Sequence, residues 1–193
     1  KVKKRIFYFD IKFLNNNFIN NILACISVMF ALNLNLNNMR QKFIQFNLPS
    51  GRGDLNIINK FNKKFKFIDE SYNANPLSME LAIKNLNYYK REKNSKKLVL
   101  LGDMLELGKK TKKFHNELSN VINKSDIDKV FVYGNHIKET FKNLKLNKRG
   151  KFFNKLEDAH DYFSKNLHNN DLLMIKGSNA TGLNKFSRNI KKD

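Results

Sequence analysis

Residues 65–90 read FKFIDESYNANPLSMELAIKNLNYYK and contain one complete strand, loop and helix. The short apolar run at 65–69 predicts a buried strand. Asn75 and Pro76 follow as a helix cap and a first helical residue, because an amide oxygen accepts from the free N–H groups and Pro needs no partner there. The apolar side chains then recur at helical spacing, which predicts a helix over 76–90 with one face in the core.

The rest of the chain repeats this unit. Further strands are predicted at 97–101, 129–133, 151–153 and 172–175, and further helices at 111–123, 136–143, 157–167 and 182–190. Strands that alternate with single helices require right-handed crossovers and therefore a mainly parallel sheet. The expected architecture is an α/β fold, a Rossmann-like three-layer domain from about residue 48 to 193.

The first 47 residues follow a different pattern. Residues 2–13 predict one or two short strands, 21–32 a helix that is apolar on most faces, and 36–46 an amphipathic helix. A helix that is apolar all round is normally buried, so we expect this part to pack against something larger, with Cys25 inside. Residues 49–53, PSGRG, break the pattern and predict a domain boundary, giving domains 1–47 and 48–193.

The composition is basic, with 37 Lys and Arg against 17 Asp and Glu and a formal net charge of +20. Nucleic-acid binding is one interpretation of this charge. However, 31 of the basic residues are Lys and only 6 are Arg, and they are spread along the chain together with 31 Asn. That spread indicates a general compositional drift rather than a base-reading face, which favours Arg.

The apolar run at 22–32 is too short to cross a bilayer, and one cysteine excludes an internal disulfide framework. A cytoplasmic location is therefore expected.

Three polar, glycine-containing clusters follow predicted strands, at 69–76, 102–108 and 176–182. Ligands of such sheets bind at the carboxyl ends of the strands, so these clusters should share one crevice. Asp69 and Glu70 could hold ribose hydroxyls, and Lys176 could meet a phosphate or carboxylate. The residues alone also permit plainer roles: Asn75 as a cap only, Lys176 as a surface lysine, and the acids at 103 and 106 as loop polarity.

Several self-sufficient catalytic sites are excluded by motif. No G-x-x-x-x-G-K-[ST] phosphate loop and no G-x-G-x-x-G fingerprint occur in the sequence. The four His residues have no second His or Cys at metal-ligand spacing, so no metal site is expected. No catalytic residue is therefore assigned.

The clusters resemble a known family. The strings DESYNANPLSM (69–79) and LGDMLELG (101–108), then His115 and KGS (176–178), closely resemble the carboxy-terminal domain of the Mur ligase family. The string SYNANP (71–76) resembles the motif of the family members that add D-alanyl-D-alanine. NFINNILA (17–24) resembles the helix that closes the family's central ATPase domain, and SGRG (50–53) its interdomain motif.

The resemblance implies an ATP-dependent acid–amino-acid ligase that joins D-Ala-D-Ala to UDP-MurNAc-tripeptide in peptidoglycan precursor synthesis. ATP and Mg²⁺ are the implied cofactors, with the magnesium ligands in the central domain. By matching position, the nucleotide would contact Asn21 (adenine), Arg52 (phosphates), Asp69 or Glu70 (ribose), Tyr72 and Asn73. The residues implied on the substrate side are Asn75, Asp103, Glu106, Lys176 and Ser178.

The uridine-binding domain, the phosphate loop and the magnesium ligands of the family are missing from these 193 residues. We therefore expect a carboxy-terminal fragment that neither hydrolyses ATP nor ligates alone. Two alternatives are another Mur-type or folylpolyglutamate-type ligase, against which SYNANP argues, and a basic nucleic-acid-binding module.

Overall fold

The computed structural model describes residues 6–11, 16–39, 42–45 and 49–192, without the side chains of 16–18 and 54. Its internal contacts divide the chain into two units, Lys1–Leu48 and Pro49–Asp193.

The regular secondary structure described in the first unit is helical. Helix α1 spans Asn16–Ala31, a 3₁₀ turn spans Leu36–Met39, and the short helix α2 spans Lys42–Gln45. Within the helix predicted over 36–46, the described residues form this 3₁₀ turn and helix α2. Residues 6–11 form no strand, and the remainder of the strand segment predicted at 2–13 lies outside the described residues.

A small apolar cluster holds this unit together, with Ile22, Ile26, Leu36 and Phe43 buried. The prediction that Cys25 is buried is wrong, because its side chain is exposed. Residues 22 and 26 share the buried face, one helical turn apart, and residue 25 falls beside that face.

The second unit contains a six-stranded sheet. Its strands are β1 (Asp54–Lys60), β2 (Lys63–Glu70), β3 (Lys97–Gly102), β4 (Lys129–Tyr133), β5 (Arg149–Phe153) and β6 (Leu172–Lys176). The spatial order is β1-β2-β6-β3-β4-β5. Only the β1–β2 pair is antiparallel, so the mainly parallel sheet is confirmed.

Four helices connect successive parallel strands: α3 (Pro76–Leu86), α4 (Thr111–Lys124), α5 (Lys138–Lys142) and α6 (Leu156–Asn166). A fifth helix, α7 (Leu183–Lys191), follows β6. The predicted helix over 76–90 ends four residues early, and the predicted helix over 136–143 is reduced to five residues.

The two faces of the sheet are covered by different helices. Ile68, Val99 and Val130 pack with α3, α4 and α5, whereas Phe67 and Leu98, one residue earlier on their strands, pack with α6 and α7. This alternation follows from the two-residue repeat of a strand. The predicted three-layer α/β fold is confirmed.

Strand β1 was not predicted. Its side chains from residue 55 to 60 are exposed or half-buried, and Leu55 and Ile57 face solvent, so the run lacks the apolar signature of a buried strand. The hairpin turn uses Phe61 and Asn62, both with positive φ, instead of the Asn-Gly or Asp-Gly pair that marks such a turn.

Candidate functional site

The carboxyl ends of four neighbouring parallel strands meet at one edge of the sheet. Glu70 pairs with Lys176, Leu101 also pairs with Lys176, and Gly102 pairs with Tyr133. The loops that follow these strands therefore lie side by side, and the three predicted clusters share this edge, together with a fourth loop at 134–137. The four loops are called the carboxyl-edge loops below.

An arginine is held on an aromatic ring beside these loops. The Arg52 guanidinium carbon lies 4.2 Å from the centroid of the Tyr72 ring, and both side chains are exposed. The loop that carries Arg52 is tied to the end of β2, because Gly53 N donates to the Asp69 carbonyl (2.7 Å) and Tyr72 N to the Gly51 carbonyl (3.1 Å). Both glycines have positive φ, at +83° and +91°.

A buried lysine joins β6 to the loop after β2. Lys176 is 2% exposed, and its Nζ lies 3.3 Å from Glu70 Oε2 and donates to the Asn73 carbonyl at 3.0 Å. Burial lowers the pKa of Lys176, although the Glu70 carboxylate favours the charged form. Lys176 therefore fixes the position of the loop and is not a surface lysine.

Asp69 belongs to a second network on the other face of the sheet. Its carboxylate is 1% exposed, accepts from Ser71 Oγ at 2.6 Å and pairs with Lys191 Nζ at 2.8 Å. Burial opposes ionisation, but the hydrogen bonds from Lys191 and Ser71 prevail and lower the pKa of Asp69. The buried Ser187 hydroxyl also favours the charged form, although it lies outside hydrogen-bond geometry with any described atom.

The two acids predicted as a pair thus have separate partners, Asp69 on the α7 side and Glu70 with Lys176.

Asn75 caps helix α3 in a complete capping box. Its Oδ1 accepts from Ser78 N (2.9 Å), and Ser78 Oγ accepts from Asn75 N (3.1 Å), with Pro76 as the first helical residue. The capping role predicted from the sequence is therefore confirmed. The exposed Asn73 side chain accepts from Ala74 N at 2.7 Å.

Asp103 points into the protein and organises the loop at 134–137. Its Oδ1 accepts from His136 N (3.0 Å) and Ile137 N (2.7 Å), and its Oδ2 accepts from Asn135 N (3.0 Å). Gly134 has a φ of +133°, and a Cβ at this position would lie 2.4 Å from Asp103 Oδ1. The carboxylate is therefore committed to three backbone N–H groups.

Ser178 links three of the carboxyl-edge loops. Its Oγ accepts from Leu105 N at 3.0 Å and donates to the Ala74 carbonyl at 3.3 Å, while its N–H donates to the Asp103 carbonyl at 3.0 Å. Glu106, in contrast, is exposed in a left-handed conformation with φ of +62°.

His115 is fully buried beneath the loop at 103–107. Its Nε2 accepts from Met104 N at 3.1 Å, so Nδ1 carries the proton and donates to the Thr111 carbonyl at 2.8 Å. Burial lowers the pKa of His115. The histidine of the sequence motif is thus a neutral support for the loop.

A small cavity of about 50 Å³ lies on the α7 side of the carboxyl edge. Asp69, Ser71 and Tyr72 line it from the end of β2 and the loop that follows, and Asn179, Asn184 and Arg188 line it from the segment after β6. Asn179 belongs to the polar cluster predicted at 176–182, whereas Asn184 and Arg188 were not predicted to belong to the site. The available signal was the four-residue spacing of Asn184 and Arg188, which puts both on one face of α7.

Asn21 is exposed on helix α1 in the first unit. Over the described ranges, 6–11, 16–39, 42–45 and 49–192, no group of three or more His, Cys, Asp or Glu is placed to hold a metal ion. The described helices include none that is long and apolar enough to cross a membrane.

Residues 55–179 match the family model of the Mur ligase, glutamate ligase domain. The chain belongs to the Mur ligase family.

Individual Mur ligases extend this match. The chain is 30% identical to the UDP-N-acetylmuramoyl-tripeptide–D-alanyl-D-alanine ligase of Rickettsia prowazekii over 176 aligned residues. This alignment covers 91% of the chain and 38% of that ligase. The ligase of the same name from Buchnera aphidicola (subsp. Baizongia pistaciae) is 33% identical over 189 residues, and the alignment covers 96% of this chain and 37% of that ligase.

Among solved structures, the fold matches the MurF ligase of Thermotoga maritima in complex with ADP. The TM-score is 0.74 at 22% identity, over 92% of this chain and 39% of that protein. The chain thus spans less than two fifths of the length of the two curated Mur ligases.

Proposed function

We propose that this chain is the carboxy-terminal part of an ATP-dependent ligase that joins D-Ala-D-Ala to UDP-MurNAc-tripeptide in peptidoglycan precursor synthesis. Two relatives at 30% and 33% identity carry that activity in their names. The structural observation that carries the proposal is the Arg52–Tyr72 stack, which presents an exposed cation beside the carboxyl-edge loops.

Arg52 suits the phosphates of a nucleotide. Its guanidinium is exposed, and among the described residues it has no carboxylate partner. A guanidinium presents parallel N–H donors that match two phosphate oxygens. Stacking on the Tyr72 ring limits the rotation of the side chain, so less conformational entropy is lost on binding. ATP would supply the phosphoryl group that activates the tripeptide carboxylate.

The Lys176 contacts keep the neighbouring loop in place. Lys176 Nζ bonds to both Glu70 and the Asn73 carbonyl, so it fixes the loop that presents Tyr72 and Asn73. We assign Lys176 a positioning role. Glu70 is a quarter exposed and remains our candidate for a ribose contact, in preference to the buried Asp69.

Asp103, Ser178 and Asn75 have their described hydrogen bonds within the loops. We propose that these three residues shape the dipeptide side of the cleft by holding the loops in place. The exposed Glu106, three residues after Asp103, is proposed to lie on the same side.

The first unit, with a boundary at 47/48, is proposed to be the end of a central ATP-binding domain. Large apolar side chains on its surface support this, since a domain that is missing most of its core exposes such groups. Leu23 and Val28 on α1 are 55% and 58% exposed, and Tyr8 is 73% exposed. Asn21 of this unit would contact the adenine. The ligands of Mg²⁺ would lie in the remainder of the enzyme. We propose a cytoplasmic location for the whole enzyme.

A chimera tests the proposal. The residues of the Buchnera ligase that precede its match to this chain would be joined to the complete 193 residues, and phosphate release measured with ATP, tripeptide substrate and D-Ala-D-Ala. We expect D-Ala-D-Ala-dependent release by the chimera and none by the 193 residues alone. Arg52→Gln should reduce the rate at least about tenfold through weaker nucleotide binding. Lys93→Gln, which removes an exposed cation before β3, should not reduce it.

The alternatives give different results. A folded chimera that accepts glutamate instead of D-Ala-D-Ala would support a folylpolyglutamate-type ligase. Retention of the chain on DNA at physiological salt, with no ligase activity in the chimera, would support the nucleic-acid module.

A further inference from the structure

The cavity on the α7 side of the carboxyl edge contains a cation that the proposed function does not use. Arg188 lines this cavity from helix α7 and is exposed. Within the described part of the chain, its guanidinium makes no hydrogen bond or ion pair. Its guanidinium therefore offers up to five N–H donors on a side chain whose backbone belongs to helix α7.

The carboxylate in the cavity is already neutralised. Asp69 pairs with Lys191 at 2.8 Å, and its other oxygen accepts from Ser71 Oγ at 2.6 Å. Asp69 and Arg188 are the charged residues that line the cavity, and of these two Asp69 has an ion-pair partner among the described residues. An anionic group would offset the charge of Arg188.

The polar groups around the cavity also suit an anion. Asn184 donates to Asn179 and so holds both amides against the opening, and Ser50 adds a hydroxyl from the loop before β1. The volume of about 50 Å³ is several times the roughly 10–15 Å³ that one water requires, which leaves space for one small oxyanion group.

We propose that Arg188, together with Ser50, Asn179 and Asn184, binds a small oxyanion, either a phosphate of a nucleotide or the carboxylate of a peptide. This inference rests on the proposed function for its two sources of oxyanion. It adds a subsite on the α7 side of the sheet edge, separate from Arg52.

The test is a titration of the isotope-labelled 193-residue chain with inorganic phosphate, followed by amide and guanidinium NMR shifts. We expect saturable shifts at the Asn179 and Asn184 side-chain amides and at the Arg188 Nε–H. Arg188→Gln should weaken binding about tenfold or more, since a charge-assisted bond is lost. Arg188→Lys should weaken it less, because the charge remains.

Lys185→Gln is the matched control. Lys185 is an exposed cation on the same helix and does not line the cavity. It should leave the titration unchanged. Unaltered phosphate binding in Arg188→Gln, or shifts that do not saturate and are spread over the surface lysines, would overturn the proposal.

Two ligand pairs then separate the sources. A nucleotide phosphate predicts that ADP shifts the cavity signals and adenosine does not; a peptide carboxylate predicts that D-Ala-D-Ala shifts them and its C-terminal amide does not. If ADP binds but its signals and affinity are the same in Arg188→Gln, and D-Ala-D-Ala leaves the cavity unchanged, this inference fails while the proposed function stands. If phosphate binds at Arg188 but the chimera is inactive, this inference stands while the proposed function fails.

Discussion

Replacing Asp103 should destabilise the second unit even though this acid was predicted to lie on the substrate side of the cleft. Asp103→Ala removes the acceptor of three backbone N–H groups, at Asn135, His136 and Ile137. A buried donor left without a partner costs the free energy of its desolvation. The loop at 134–137 has no other described side-chain acceptor for these groups.

The size of the effect follows from burial. Ile137 is fully buried, so the loss of its charge-assisted bond should cost about 1.5–3 kcal/mol. Asn135 and His136 are exposed and can bond to water, so their loss should cost only about 0.5–1 kcal/mol each. The free energy of unfolding should therefore fall by about 2.5–5 kcal/mol. Asp103→Asn keeps one oxygen for His136 and Ile137 and should cost about 1–2 kcal/mol.

Urea unfolding followed by circular dichroism measures these differences through the midpoint and slope. The control is Glu106→Gln, which changes an exposed acid three residues away and should alter the free energy of unfolding by less than about 0.5 kcal/mol. A cost below about 1 kcal/mol for Asp103→Ala, or an Asn variant less stable than the Ala variant, would show that these three hydrogen bonds do not stabilise the fold.

Three other changes test separate features. The free energy of unfolding should decrease as the pH falls below about 6.5, because the pKa of folded His115 is lowered and only the unfolded state takes up the proton; the slope should not exceed about 1.4 kcal/mol per pH unit for this group. Asn75→Ala should reduce the free energy of unfolding by about 1 kcal/mol through loss of the helix cap, as measured in urea. Tyr72→Ala should weaken ADP binding to the chimera about twofold to tenfold through loss of the Arg52 stack, as measured by calorimetry.

The controls are matched to each change. His115→Gln should flatten the pH dependence of the free energy of unfolding, whereas His160→Gln, at an exposed site, should not. An unchanged pH dependence in His115→Gln would show that His115 is not the group responsible. Asn75→Asp should retain most of the cap. Tyr72→Phe should bind ADP normally, and equal losses in Phe and Ala would show that the hydroxyl, not the ring, matters.

The parallel strands could be predicted because their sequences are continuous apolar runs, as in 97–101 and 172–175. The sheet buries these runs on both faces, so burial and sequence agree. Strand β1 carries no such signal: it lies at the edge, faces solvent with Leu55 and Ile57, and gains its order from pairing with β2. Long-range pairing of this kind is not encoded in local periodicity.

The position of the candidate site could be predicted, but the direction of each side chain could not. The topology puts the polar clusters at one edge, as expected. Whether Asp103 faces solvent or the protein depends on Gly134, 31 residues later, whose positive φ turns three N–H groups toward the carboxylate. The direction of the Cys25 side chain could not be predicted either. On helix α1 the neighbouring residue Ile26 is buried, whereas Cys25 is exposed.

The hydrogen bonds around Gly51 and Gly53 have a mechanical consequence for Arg52. In sequence this arginine sits in a linker, yet the residues on both sides of it are bonded to the end of β2 and to Tyr72. The guanidinium therefore travels with the sheet as part of a rigid body. The Arg52 backbone keeps a fixed distance from Tyr72 and Lys176, so the cation and the carboxyl-edge loops form one preformed surface of the second unit.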